Sequence, residues 1–565
     1  MHLYDIIALI VYFVIVAGLG LWTASKVKTM GDFVMPRKFG KTMMLFFGFG
    51  SGTHSDQAVS VAAKSYTNGI SGIWYQWLWL FVTPFYWLIA PMMRRFRALT
   101  TADVFELRFG RSVAMLFALV GLLQYTVNIG VMLKGSSAVI EASTGGLVNA
   151  DWAIVIMTVL FVAYGMAGGL HAAILTDLIQ GVLTIVFSFL LLPFILNAVG
   201  GFSGLRENVP SDMLTLVAPA EIGVIYVAVI AFNGLVGIVA QPHTMANCAA
   251  GRTELDGQVG FMGGSLLKRV CTIAWTFIGV AAIAYFAAEG VVDVDPDQVF
   301  GKVAHQFLPQ IMPGLLGLFL AGLLASVMSS CDAFMISTAG LFTENIYKKI
   351  LPGKSEKHYL RTARLSSLGI VVAGVVFAFA LEDVVAGLEI FWKISPMLGI
   401  AFWMGLFWRR MNAVGAWAST LTAFAMWWLT TQSFFINAVA GLPFAESMKL
   451  VFLKGDTLEI FLPWQMVFYL LAGLIAGAVA SLLTSKPEES RLDRFYALIR
   501  TPIALDEVVK EPCTLPEGSV TPPARKMFRS KSFEIYVPSK LAVAGFSFGW
   551  LCVIVLIAVV FALVK

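Results

Sequence analysis

Three observations predict an all-α polytopic membrane protein of about fourteen transmembrane helices, arranged as inverted five-helix repeats with broken helices. First, residues of the AVILMFWYC set make up 58% of the chain against 13% charged, and mean hydropathy is +0.82. Soluble proteins carry about 25% charged residues. Second, the apolar residues fall in blocks of about 17–25, the length that crosses a hydrocarbon core. Third, two of these blocks are interrupted by glycine, five blocks apart. This composition excludes a soluble metabolic enzyme, a DNA-binding protein and a disordered scaffold. The net charge of +5 records where Lys and Arg flank helices, not an affinity for nucleic acid.

The blocks begin near residues 5, 42, 72, 112, 152, 173, 222, 268, 313, 362, 386, 413, 463 and 541. The first, MHLYDIIALIVYFVIVAGLGLW, lacks the basic region and cleavage site of a signal peptide and reads as a retained span. With its loop it occupies 1–41. The first five-helix repeat takes 42–200, the second 201–411, two accessory spans 412–484 and the last span 541–565. Between them, 485–540 reads as a cytoplasmic Pro-rich linker. Its first part, KPEESRLDRFYALIR, predicts a short basic amphipathic helix at the membrane surface. The rest predicts an extended or disordered segment.

Basic residues collect on the cytoplasmic side of membrane proteins. With both termini outside, the inner loops hold 31 of the 39 Lys and Arg residues, beginning with Lys26, Lys28, Arg37, Lys38 and Lys41. The outer regions hold six, and only Lys134 and Lys393 remain inside spans. Span number and orientation thus support each other, and the expected location is the plasma (cell inner) membrane.

A spanning helix has no water to satisfy freed backbone groups, so a glycine-rich break at membrane depth implies a site. The second block contains Phe47-Gly-Phe-Gly-Ser-Gly-Thr-His-Ser-Asp-Gln57, and the seventh contains Phe232-Asn-Gly-Leu-Val-Gly-Ile-Val-Ala-Gln-Pro-His243. Paired breaks in inverted repeats mark the midplane binding site of a transporter. Buried polar residues give the second signal. The sixth block carries Asp177 and Gln180, and the ninth carries Ser326, Ser329, Ser330 and Asp332. Residues 326, 329 and 332 share one helix face. A carboxylate inside a span costs about 2.5–3.5 kcal/mol on insertion scales, and a hard monovalent cation is a suitable partner for such oxygens.

Other chemistry finds little support. No GxxxxGK[ST] is present, the six histidines are scattered, and the five cysteines have no metal-type spacing.

Two motifs carry a resemblance. Gly168-Gly-Leu-His-Ala-Ala-Ile-Leu-Thr-Asp-Leu-Ile-Gln180 is similar to the GG-x-x-A-x-x-x-TD-x-x-Q signature of the sodium:solute symporters, and SSCDAFMISTAGLFTENIYKK resembles their SS…(S/T)…DIYK stretch, with Asn345 where Asp is commoner. The resemblance covers residues 5–484 and implies a LeuT-like fold. It also implies sodium as the coupling ion, held by the carbonyls of Gly50, Thr53 and Ser326 and the hydroxyls of Ser329 and Ser330. A second sodium is implied at Asp177, with Asp332 and Ser329 beside it. Gln57 matches a sugar-contacting glutamine of the galactose carriers and Gln76 stands where they have glutamate, but Leu388 replaces another of their glutamines. The aspartate of the proline carriers falls on Gly52, with Asp56 four positions later. Asn233 in the second break, and Glu389 and Lys393 one helical turn apart, complete the candidate solute residues.

The function implied is import of a small polar organic solute with sodium by alternating access, with no catalytic step and no nucleic-acid partner. A proton-coupled carrier on the same scaffold, or a solute-binding membrane sensor, remain the alternatives.

Overall fold

The computed structural model describes residues 2–24, 35, 37–218, 222–291, 293–455, 457–505, 507, 509 and 511–565. Lys26 and Lys28 of the first loop lie outside them. The described chain is mostly helical. After α1 (Leu3–Ala24) comes a helix broken in its middle: α2 (Lys41–Gly50) stops, residues 51–54 are non-helical, and α3 (Ser55–Asn68) resumes. Gly48, Gly50 and Gly52 explain the stop, since each glycine costs about 1 kcal/mol relative to alanine in a helix.

Next come α4 (Thr83–Arg95), α5 (Arg111–Ser143) and α6 (Ala150–Leu190). The last takes in both blocks expected near 152 and 173, so no turn separates them. The second break lies between α7 (Val224–Ile238) and α8 (Thr244–Ala249). Pro242 offers no backbone donor there, and Thr244 Oγ1 donates to the freed Ile238 carbonyl at 2.7 Å.

The eighth block departs from expectation. Thr253 and Asp256 form a capping box, so the helix starts at Glu254, passes a π turn at Val259–Gly263 and continues as α9 (Gly264–Ala288). Lys268 and Arg269, which a start near 268 assigns to a loop, are inside the helix and only 8% and 2% exposed. Close packing explains the weak hydropathy signal. Side chains at Gly260 and Gly264 would collide with the backbone of α2, so small residues stand where a lipid-facing helix would be apolar.

The bundle is completed by α10 (Leu315–Phe342), α11 (Glu356–Ala380), α12 (Val384–Phe407), α13 (Ala413–Leu429) and α14 (Leu462–Leu483); α15 (Glu489–Arg500) and α16 (Lys540–Val564) follow. Among the described residues eight helices are long and apolar enough to cross a membrane, with Val224–Ile238 as a shorter apolar helix. Fourteen uninterrupted spans are not seen because breaks divide the second, third and seventh blocks and α13 has 17 residues.

The stretch 485–540 is tied down rather than free. The short amphipathic helix expected at its start is α15, and its apolar face packs on protein, with Phe495 on Phe96 at 5.2 Å between ring centroids. Glu507 pairs with Arg97 at 2.5 Å, both side chains buried. Farther on, Met527 N donates to the Ile535 carbonyl and Val537 N to that of Arg525, folding 525–537 back on itself.

Candidate ion and solute site

The two breaks meet. Ser51 Oγ donates to Asn247 Oδ1 at 2.8 Å, fully buried, joining the non-helical residues of the first break to α8 beyond the second. Around this junction lie two groups of polar atoms.

The first group is made of oxygen. Ser330 Oγ of α10 donates to the Gly50 carbonyl at 3.1 Å, and Ser329 Oγ donates to Asp177 Oδ1 of α6. A Cβ at Gly50 would lie 3.1 Å from Asp177 Cγ, tighter than ordinary contact. Thr53 N donates to the same Gly50 carbonyl at 3.2 Å. Asp177 Oδ2 and Thr53 Oγ1 are buried without a hydrogen-bond partner among the described residues. Asp332 is 2% exposed, and on the same side of the bundle Tyr12 accepts from Gln180 Nε2 at 3.2 Å. Ser326 Oγ is turned back onto its own helix, donating to the Leu323 carbonyl at 2.8 Å. An all-oxygen set with orphaned buried acceptors suits a hard cation. α2, α6 and α10 thus converge on Gly50, Asp177, Ser329 and Ser330.

The second group lines a cavity. The first break contributes Ser51, Gly52, His54 and Gln57, and the second Gln241, His243 and Asn247. Gln76, Trp79, Lys268 and Arg269 close one side, Leu388, Phe391 and Trp392 another. Gln57 and Gln76 are therefore cavity residues, and each has an Oε1 buried without a hydrogen-bond partner among the described residues.

Four other candidates are placed elsewhere. Asp56 stands behind the wall, its Oδ1 2.8 Å from His54 Nδ1. Asn233 is engaged by its neighbours: Nδ2 donates to the Trp392 carbonyl at 2.9 Å and Tyr469 OH donates to Oδ1 at 2.5 Å. That amide fastens α7 to α12 and α14. On α12 the cavity face is Leu388, Phe391 and Trp392, spaced as one stripe. Glu389 and Lys393 fall off that stripe; Glu389 accepts from Tyr75 OH at 3.1 Å, and Lys393 is buried beside it.

Sequence reasoning missed the basic pair of α9, as well as His54, His243, Gln241 and Asn247. The pair was detectable. Thr253-Glu-Leu-Asp256 is a capping-box pattern ahead of an apolar run, and it fixes a helix start at 254.

A sequence profile of the sodium:solute symporter family matches residues 33–423. The sodium/pantothenate symporter of Haemophilus influenzae is 25% identical over 456 residues, covering 76% of this chain and 91% of that protein. The sodium/glucose cotransporter of Vibrio parahaemolyticus is 24% identical, covering 85% and 90%. A solved sodium-coupled sialic acid symporter, in a substrate-bound outward-open state, shares the fold with a TM-score of 0.66 at 17% identity, covering 86% of this chain and 99% of that one. The profile spans well over half of the sequence: this chain belongs to the sodium:solute symporter family.

Proposed function

We propose that this protein imports a small polar organic solute together with sodium, by alternating access, and releases it unchanged. The observation that carries the reading is the pair of links from α10, Ser330 to the Gly50 carbonyl and Ser329 to Asp177, next to a polar cavity built from the same break. Sodium at Gly50, Thr53, Ser326, Ser329 and Ser330 would hold the first break against α10. Asp177 and Asp332 offer charge for a second ion. Because Ser51, Gly52, His54 and Gln57 of the same break also wall the cavity, ion and solute would favour the same arrangement of the break, which is all that coupling requires.

In this reading the breaks belong to inverted five-helix repeats, the chain crosses about fourteen times, and both termini face outward. The alternation of basic loops supports that orientation. Thiol labelling of an otherwise cysteine-free His2→Cys variant from outside intact cells tests it; labelling only after permeabilisation reverses it.

Uptake by vesicles under an imposed sodium gradient tests the function. Accumulation that collapses when potassium replaces sodium is expected. Uptake indifferent to sodium but following a pH gradient would select the proton-coupled alternative.

A further inference from the structure

Lys268 and Arg269 are adjacent, buried and both on the cavity wall. Lys268 Nζ donates to the carbonyl of Gly52, within the first break. Arg269 Nη1 donates to the Gln76 carbonyl at 2.9 Å, while its Nε is buried without a hydrogen-bond partner among the described residues. Neutral carbonyls therefore receive both cations. No Asp or Glu lines the cavity among the described residues. Asp56 stands behind the wall, its Oδ1 turned to His54 and its Oδ2 buried without a hydrogen-bond partner among the described residues. Two basic side chains therefore stand against one carboxylate, that of Asp56 behind the wall.

A buried cation is costly unless an anion or full hydrogen bonding compensates it. Among the described residues the wall offers these two bases no carboxylate of its own. We infer that the solute supplies it: the transported molecule is a small organic monoanion, its carboxylate held between Lys268 and Arg269. The rest of the wall describes the remainder of the molecule. Gln57 and Gln76 are lining residues whose Oε1 atoms have no hydrogen-bond partner among the described residues, which suits a body that carries hydroxyl or amide N–H donors. Trp79 and Trp392 add apolar surface to the same lining. The class is a hydroxylated or amide-bearing carboxylic acid, and a neutral sugar or a zwitterion leaves the wall unbalanced.

This inference rests on the cavity being the solute site. The experiment measures thermal stabilisation of the purified full-length protein by matched pairs: lactate and lactamide, glucuronate and glucuronamide, N-acetylalanine and its primary amide. Each pair is run in sodium and in potassium. Acids of at least one pair should bind in sodium at tenfold or more lower concentration than their amides. Equal binding of acid and amide, or no binding by any acid, overturns the inference. An acid preference of the same size in potassium keeps the inference and removes the sodium coupling proposed above, so the two failures are distinguishable. Lys268→Gln should abolish the preference and Lys268→Arg should retain it. The comparison on the unsubstituted protein decides the matter even where a variant does not fold.

Discussion

Ser329 carries the sharpest expectation for one side chain. Its hydroxyl is fixed by Asp177 and stands among the oxygens that converge on Gly50. A hydrogen bond to a charged group contributes about 1.5–3 kcal/mol, and about 1.4 kcal/mol is tenfold in affinity. Ser329→Ala should therefore raise the sodium concentration for half-maximal uptake on the order of tenfold or more, with the solute response at saturating sodium little changed. A variant with unaltered sodium dependence removes Ser329 from the site. A second residue-scale expectation concerns Asp297, in the short turn Pro296–Gln298 outside the spans. Burial, with Asp295 and Asp383 nearby, pushes its carboxyl up to about 6, against the opposing hydrogen bond from Val384 N at 3.1 Å. A raised carboxyl means that the folded state keeps a proton the unfolded chain has lost, between the ordinary 3.8 and about 6. The stabilisation from this group is present below that window and fades as pH rises through it. Comparing melting curves at pH 5 and pH 7, Asp297→Asn should show a smaller loss than the unsubstituted protein; an equal loss assigns the pH effect to other groups.

At the scale of elements, what the sequence revealed and what it hid have different physical origins. Both breaks were legible because their causes are local: three glycines within residues 48–52, and Pro242 with its lost donor. The oxygen cluster was legible because carboxylates and hydroxyls inside spans are rare enough to stand out. The start of the helix leading into α9 was hidden from hydropathy, since a segment packed on α2 through glycines needs no apolar coat. The cavity face of α12 was hidden too, because Glu389 and Leu388 are neighbours in sequence and only packing decides which one turns inward. Least legible was the order in 485–540. Its anchors are distant partners, with Arg97 and Glu507 separated by 410 positions, and no local pattern announces them. Removing one member of a buried ion pair costs on the order of 3–5 kcal/mol. Arg97→Ala should therefore lower the melting midpoint and open the 501–513 segment to protease, and Glu507→Ala should do the same. The double variant should lose less than the sum of the two. Full additivity would mean that the pair does not act as a unit.

For the molecule as a whole, the proposed function makes the first break a shared element between an ion site and a solute site. The Gly50 carbonyl receives Ser330 on the ion side, the Gly52 carbonyl receives Lys268 on the solute side, and Ser51 between them holds the second break through Asn247. Residues 51–54 are too few to be rearranged at one end only, so an ion that fixes Gly50 also biases the wall that meets the solute. Such coupling is reciprocal: if sodium tightens the solute by some factor, the solute tightens sodium by the same factor. Calorimetric titrations done in both orders should therefore return one coupling factor, of roughly 5–150-fold in the usual range. Ser51→Ala keeps Gly50, Ser329, Ser330 and Lys268 in place but cuts the link between the two breaks. Its expected signature is a coupling factor nearer to one, with each ligand still binding alone. If both affinities fall while the coupling factor stays unchanged, Ser51 supports the fold and the connection between ion and solute runs by another route.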